Sequence, residues 1–257
     1  MGMLVNPYRG GSIPNAVFEL DAGLIGSFTG GGSTNWMNVV ASPADSSSQS
    51  SYDFTKTGPT FNGSAGANSA SEYFSSDGGD YFLLTGSNTT FVNSLHKDNA
   101  VFTWYGFLRL GTSDITEVGL FGTQSALSGI GISITLNSGG NAVFTQGSGS
   151  ANTIKTTSTF PAAVTTSAFV ALSYTESTGV GLFYWNGASK VTESFTQAYT
   201  SPSSSAASSK PTVLGAGENF YLSSSGTRIW RTGMFNLALS EAQLDALFNL
   251  YKSKLGF

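Results

Sequence analysis

Ala100-Val101-Phe102-Thr103-Trp104-Tyr105-Gly106-Phe107-Leu108-Arg109-Leu110 is the stretch that most limits what this chain can become. It is rich in aromatic and β-branched residues, which favour strands. Through most of its length it is apolar at both odd and even positions, so both faces need cover. Such a strand is either central and covered on two sides, or belongs to a sandwich whose outer face is also buried.

The rest of the chain agrees with an all-β reading. Its 257 residues suffice for one large domain with a substantial core. Only 10% are charged, against about 25% in an average globular domain. The 32 glycines and the Ser/Thr runs supply turns, and 19 Phe and 10 Tyr supply core. A disordered chain would carry more charge and fewer rings. Net charge is −4, and the 11 Lys and Arg are scattered, which argues against a nucleic-acid partner. No run of about 18 apolar residues is present, so no membrane span is expected. The N-terminus does not have the basic-then-apolar order of a signal peptide. The absence of cysteine removes disulfides and thiolate metal sites, and it fits a reducing compartment.

Residues 1–16 stand apart. Prolines at 7 and 14 and three glycines exclude a regular element, so the segment reads as an arm, with Pro7, Tyr8 and Arg9 as the residues that would dock on a neighbouring subunit. Residues 17–257 read as one domain. Strands are expected at 17–20, 36–40, 73–74, 81–84, 100–110, 118–122, 131–136, 142–145, 169–174, 181–187, 212–217 and 226–236, with order restarting at 60–63. Residues 41–58 read as a surface loop and 200–209 as a low-complexity one. Asp77-Gly78-Gly79-Asp80 suits a hairpin, and Asn186-Gly187 is the clearest type I′ signal. Ser240 with Gln243 forms a capping box. After it, Leu244, Leu247, Phe248, Tyr251 and Leu255 share one helical face.

Several segments in order resemble a laminin-G-like (concanavalin A-like) jelly roll of the kind found in bacteriophage virion structural proteins. They are Leu20-Asp21-Ala22-Gly23 with the Ser27–Gly32 turn and Trp36, Gly79-Asp80-Tyr81-Phe82, Phe102–Arg109, Leu182–Gly187, and Phe235–Leu244. The resemblance implies a two-sheet antiparallel jelly-roll sandwich whose single short C-terminal helix packs across the sandwich edge. It also implies a virion protein assembled in the bacterial host cytoplasm: a head decoration or accessory capsid protein, with other virion subunits as partners and a homo-oligomeric state. The alternative is a carbohydrate-binding receptor module of a tail fibre or tail tip, with cell-surface glycans as partners. Fold is poor evidence of function, because this one hosts lectins, glycosidases and adhesion modules alike.

The residues themselves offer little chemistry. A glycoside hydrolase needs two carboxylates facing one substrate. Glu19-Leu20-Asp21 copies the first half of the Glu-x-Asp-x-(x)-Glu strand of β-glucanases, but no Glu follows, and the chain is read as a non-enzyme. Asp21 is read as a turn-former bonding its own backbone. The single histidine, His96, reads as an exposed loop residue. Calcium is the one cofactor the fold would suggest, with Asp77 and Asp80 as donors against the alternative of a simple turn. Stacking on sugar would use exposed rings; Trp36, Tyr184 and Trp230 are the candidates, while Trp104 and Trp185 are assigned to the core.

Overall fold

A computed structural model describes residues 15–87, 89–111, 117–126, 128–137, 141–149, 152–156, 166–197, 204–218 and 220–257. In chain order the strands are β1 (Ala16–Asp21), β2 (Asn35–Trp36), β3 (Phe54–Thr57), β4 (Thr60–Asn62), β5 (Tyr73–Ser75) and β6 (Tyr81–Leu84). Helix α1 (Thr90–Ser94) comes next, followed by β7 (Val101–Arg109), β8 (Glu117–Gly122), β9 (Gly131–Asn137), β10 (Ala142–Gly147) and β11 (Asn152–Thr156). The chain ends with β12 (Ser167–Thr175), β13 (Val180–Asn186), β14 (Lys190–Thr196), β15 (Thr212–Val213), β16 (Arg228–Phe235) and helix α2 (Glu241–Leu255).

All pairings are antiparallel and they build two sheets. The first runs β14-β13-β12-β7-β16-β5-β4, with β1 also paired to β16. The second runs β11-β10-β9-β8-β15-β6-β3-β2. Their facing sides bury Phe18, Trp36, Phe54, Phe74, Phe82, Phe102, Trp104, Phe121, Ile134, Phe144 and Trp185 in one core. Strand β7 explains its own composition: Phe102, Trp104 and Leu108 point into this core, while Tyr105 and Phe107 point the other way. There they meet a second apolar layer made with Phe169, Tyr184, Phe235 and the buried face of α2, namely Leu244, Leu247, Tyr251 and Leu255. The molecule is thus sheet on sheet on helix. The helix lies on the outer face of the first sheet, not across the sandwich edge as the resemblance implied.

The local signals in α2 act as expected. The Gln243 amide donates to Ser240 Oγ and Gln243 Oε1 accepts from the Ser240 amide, so two otherwise orphaned donors are satisfied. The helix stops at Gly256, whose φ of 74° suits glycine. Ser240→Ala should cost about 1 kcal/mol. In a chain of this size that is a drop of roughly 2–4 °C in Tm, readable by thermal melting, with Ser240→Asp close to wild type.

Several expectations change. Asp77–Asp80 is not a hairpin, because β5 and β6 belong to different sheets. It is a crossing between layers, pinned where Ser223 Oγ donates to Ser76 Oγ and to the Asp80 carbonyl. Asn186-Gly187 does open a hairpin, but Asn186 pairs with Lys190 across a three-residue loop, and neither Asn186 nor Gly187 has positive φ, so the turn is not type I′. Segment 41–58 is only partly surface: Tyr52 and Phe54 are fully buried and β3 enters the second sheet. Helix α1 and strand β14 carried no recognised signal. Among the described residues no helix is long and apolar enough to cross a membrane.

Candidate functional site

Alternation along β1 turns Glu19 and Asp21 to one face, as a carboxylate-bearing strand requires. That face is the one covered by α2. Opposite them in register lies β16, which has an irregularity between Ile229 and Arg231. Ile229 faces the inter-sheet core, so without the slip Arg231, two residues on, would face it too. Arg231 instead joins the carboxylates. Its guanidinium donates to Glu19 Oε1 and Asp21 Oδ2. It also donates to Tyr251 Oη at 2.8 Å and lies over that ring at 3.7 Å. Tyr105 and Tyr251 donate their hydroxyls to Glu19 Oε1 at 2.8 and 3.0 Å. Lys254 reaches Asp21 Oδ2 at 2.8 Å. A side chain on Gly233 would strike the Tyr105 ring, so glycine leaves room for that hydroxyl to reach Glu19.

Electrostatically the cluster is balanced: two carboxylates against one guanidinium and one ammonium. Burial pushes the Asp21 carboxyl up, but Arg231 and then Lys254 outweigh it and hold the group below the usual carboxylate range. Burial, reinforced by Glu19, drives the Tyr105 hydroxyl well above its ordinary value. Glu19, Asp21, Tyr105, Tyr251 and Arg231 are all at most 3% exposed. An acid–nucleophile pair must reach a substrate, and this one is sealed under α2 by its own counter-ions. The cluster fastens the helix to the sheet. Asp21 also accepts the Gly23 amide at 2.9 Å, which is the turn role read from sequence, with the ion pairs added to it.

The rings singled out for sugar stacking are not available. Trp36 is fully buried between Phe74 and Phe82. Trp230 is 5% exposed, flanked by Tyr73 and Phe257, with its indole N–H donating to the Ala70 carbonyl. The Tyr184 ring sits in the helix-facing core and its hydroxyl donates to Asp245 Oδ1 at 2.6 Å. All three sequence positions looked half-exposed because the cover over them comes from distant segments. His96 is likewise buried, with Nε2 at 2.9 Å from the Ser205 carbonyl, and its burial pushes the imidazole pKa down. Asp77 is exposed and its amide donates to Asp80 Oδ2, so these two carboxylates serve a turn. Among the described residues no group of three or more His, Cys, Asp or Glu side chains gathers there or elsewhere. Pro7, Tyr8 and Arg9 lie outside the described residues.

The open feature is a cleft of about 460 Å³ on the other flank of β1, lined by Gly26, Met37, Asn38, Ser48, Gln49, Ser50 and Asp53. Three segments meet there: the turn after β1, the chain leaving β2 and the turn before β3. Asn38 is their hub. Its Oδ1 accepts the Glu19 and Val40 amides at 2.9 and 3.0 Å, and its Nδ2 donates to the Gln49 carbonyl. Its own amide donates to Asp53 Oδ1 at 2.9 Å, and Gln49 Nε2 donates to its carbonyl at 2.6 Å. Ser27 Oγ donates to the Met37 carbonyl and accepts the Asp21 amide. A loop so cross-braced presents its polar groups in fixed positions. Burial pushes the Asp53 carboxyl up, against the pull of the Asn38 amide. Ile25, just before Gly26, is 54% exposed and gives the cleft an apolar shoulder. Sequence reasoning missed Asn38, Gln49 and Asp53. The buried alternation Tyr52-Asp53-Phe54 was the available signal that this loop hugs the sandwich.

No family model matches the chain, and no curated protein matches it. Solved structures do. The binding domain of botulinum neurotoxin serotype D/C is similar over 91% of this chain and 52% of its own, with a TM-score of 0.60 and 14% identity. A botulinum neurotoxin type C structure, described as interacting with two ganglioside molecules, covers 91% and 51% at 0.58 and 12%. The neurotoxin DC binding domain in complex with SialylT covers 92% and 51% at 0.58 and 13%. The chain spans about half the length of these structures. At such identity the likeness establishes the fold, which is the lectin-like antiparallel β-sandwich contained in these toxin binding domains.

Proposed function

We propose that this chain is a non-catalytic carbohydrate-binding module whose ligand lies in the cleft at Asn38, Gln49 and Asp53. The observation that carries the reading is the cleft itself: an open, polar, rigidly braced depression with an apolar shoulder. Sugars need that mixture, since their hydroxyls demand fixed donors and acceptors and their C–H faces demand apolar contact. The fold supports it, because the similar toxin domains are binding domains described with gangliosides and SialylT. The carboxylate pair of β1, sealed under α2, supports a binding role over hydrolysis. For setting, the resemblance of Leu20–Trp36 and Phe235–Leu244 to virion jelly rolls leads us to a phage tail fibre or tail tip in preference to a head shell, since a receptor-binding part is where a glycan site has work to do.

The test is a glycan array with the whole chain, followed by titration of any hit against Gly26→Trp. A Cβ at Gly26 meets nothing within 4 Å, so the new ring fills the cleft without disturbing the fold. Binding that falls at least about tenfold in this variant, a loss of roughly 1.4 kcal/mol, supports the proposal. An array without hits, or hits indifferent to the blocked cleft, overturns it.

A further inference from the structure

We infer that the cleft selects uncharged and amine-bearing sugars and rejects sialylated ones. This rests on the carbohydrate-binding reading and deepens it. Of the seven residues that line the cleft, Asp53 alone carries charge, and none is Lys, Arg or His. An anionic sugar is held by a guanidinium, an ammonium or a set of free backbone amides. The amides at the walls are already spent: Asn38 on Asp53, Asp53 on the Ser50 carbonyl, Ser51 on the Ser48 carbonyl, and Met37 on the Ser27 carbonyl. The next carboxylate on the same segment, Asp45, accepts from the Tyr52 and Ser47 hydroxyls and adds a second negative charge to this flank.

Asp53 itself has unused capacity. Oδ1 takes the Asn38 amide, Oδ2 has no hydrogen-bond partner among the described residues, and no cation pairs with the group. A half-buried carboxylate without a counter-ion is raised in free energy by its lost hydration, which is why burial pushes its pKa up. An ammonium arriving on a sugar relieves that cost, whereas a carboxylate arriving on a sugar compounds it. The same cleft therefore favours glucosamine-type units, accepts neutral hexoses and N-acetylhexosamines through its polar walls, and disfavours sialic acid. The selectivity is opposite to that suggested by the SialylT complex of the similar toxin domain, and it follows from the lining residues of this chain.

Matched probes separate the charge effect from general affinity. Isothermal titration of the whole chain would compare lactose with 3′-sialyllactose, and a glucosamine tetramer with its N-acetylated counterpart. Lactose should bind on the order of tenfold more tightly than 3′-sialyllactose, and the amine-bearing tetramer severalfold more tightly than the acetylated one. In Asp53→Asn the ratio between the two tetramers should fall towards one, and Gly26→Trp should weaken all four probes. Sialyllactose binding as well as lactose, in a manner blocked by Gly26→Trp, overturns the charge selection and leaves the glycan reading standing. An amine preference that survives Asp53→Asn overturns it as well, since it would then come from the net charge of −4 and not from the cleft. Failure of all four probes, together with an empty array, removes both.

Discussion

Arg231→Met is expected to destabilise the protein by about 3–5 kcal/mol, because it leaves Glu19 and Asp21 buried with Lys254 as their one remaining cation. Denaturant unfolding of the variant reads this directly. The loss is not the worth of the ion pair but the penalty of unpaired charge, and the two are separable. Glu19→Met/Arg231→Met removes one charge of each sign and fills the space with apolar volume, so it should recover at least half of the loss. A double-mutant cycle then gives a large coupling, and additivity of the two single changes would refute this account of the cluster.

Acidity adds a second, opposite-signed check. In the native protein Arg231 and Lys254 outweigh burial and hold the Asp21 carboxyl below its unfolded value of 3.8. The unfolded chain therefore binds more protons in that range. The stability Asp21 contributes is fully present above pH 3.8 and is lost as pH falls through its folded value. In Arg231→Met the strongest of the opposing cations is gone and burial dominates, so Asp21 moves above 3.8. Mild acid should then narrow the gap between variant and wild type. A constant gap from pH 7 down to 4 would mean that the carboxylates are solvated and the lid of α2 is open.

How much of this was legible beforehand depends on how far apart in sequence the cause lies. The two-face demand of β7, the pairing of 169–174 with 181–187 and the Ser240 capping box are local, and the structure shows all three. Strand β3 was hidden because Ser and Asp surround it, so the buried Tyr52 and Phe54 were read as loop. The hairpin expected at Asp77–Asp80 failed because a Gly-rich turn fixes local backbone but not which sheet the next strand joins; Ser223, more than 140 residues away, decides that. Trp230 looked half-exposed between two arginines, yet Tyr73 and Phe257 close over it. Arg231 turns to the carboxylates through a strand irregularity that no residue pattern announces. Asn38, with its five hydrogen bonds, reads in sequence like any asparagine of a polar loop. The cleft is thus the least legible part, since it exists only once three separated segments are braced together.

Phe107→Ala should produce the other large loss, about 3–5 kcal/mol, and it tests whether α2 is a true third layer. The Phe107 ring is fully buried and sits between sheet and helix. Its centroid lies 4.7 Å from Phe169, 5.3 Å from Phe257, 5.9 Å from Tyr251 and 6.3 Å from Phe248. Truncation opens a cavity there, and the walls cannot easily collapse, because Phe169 and Tyr105 belong to hydrogen-bonded strands and Tyr251 is held by Arg231 and Glu19. The damage should be uneven. Native-state hydrogen exchange should show α2 amides losing more protection than those of β9 and β10, which pack on the opposite core. A loosened helix also admits water to Glu19 and Asp21, so Phe107→Ala combined with Arg231→Met should cost less than the sum of the two. The cleft is braced from β1 through the Glu19 amide and not through α2, so at temperatures where the variant stays folded the Asn38 hydrogen bonds should remain intact. Equal loss of protection across both sheets, or a cost under about 1.5 kcal/mol, would mean that the helix is an accessory to the sandwich and that the apolar outer face of β7 has some other reason to exist.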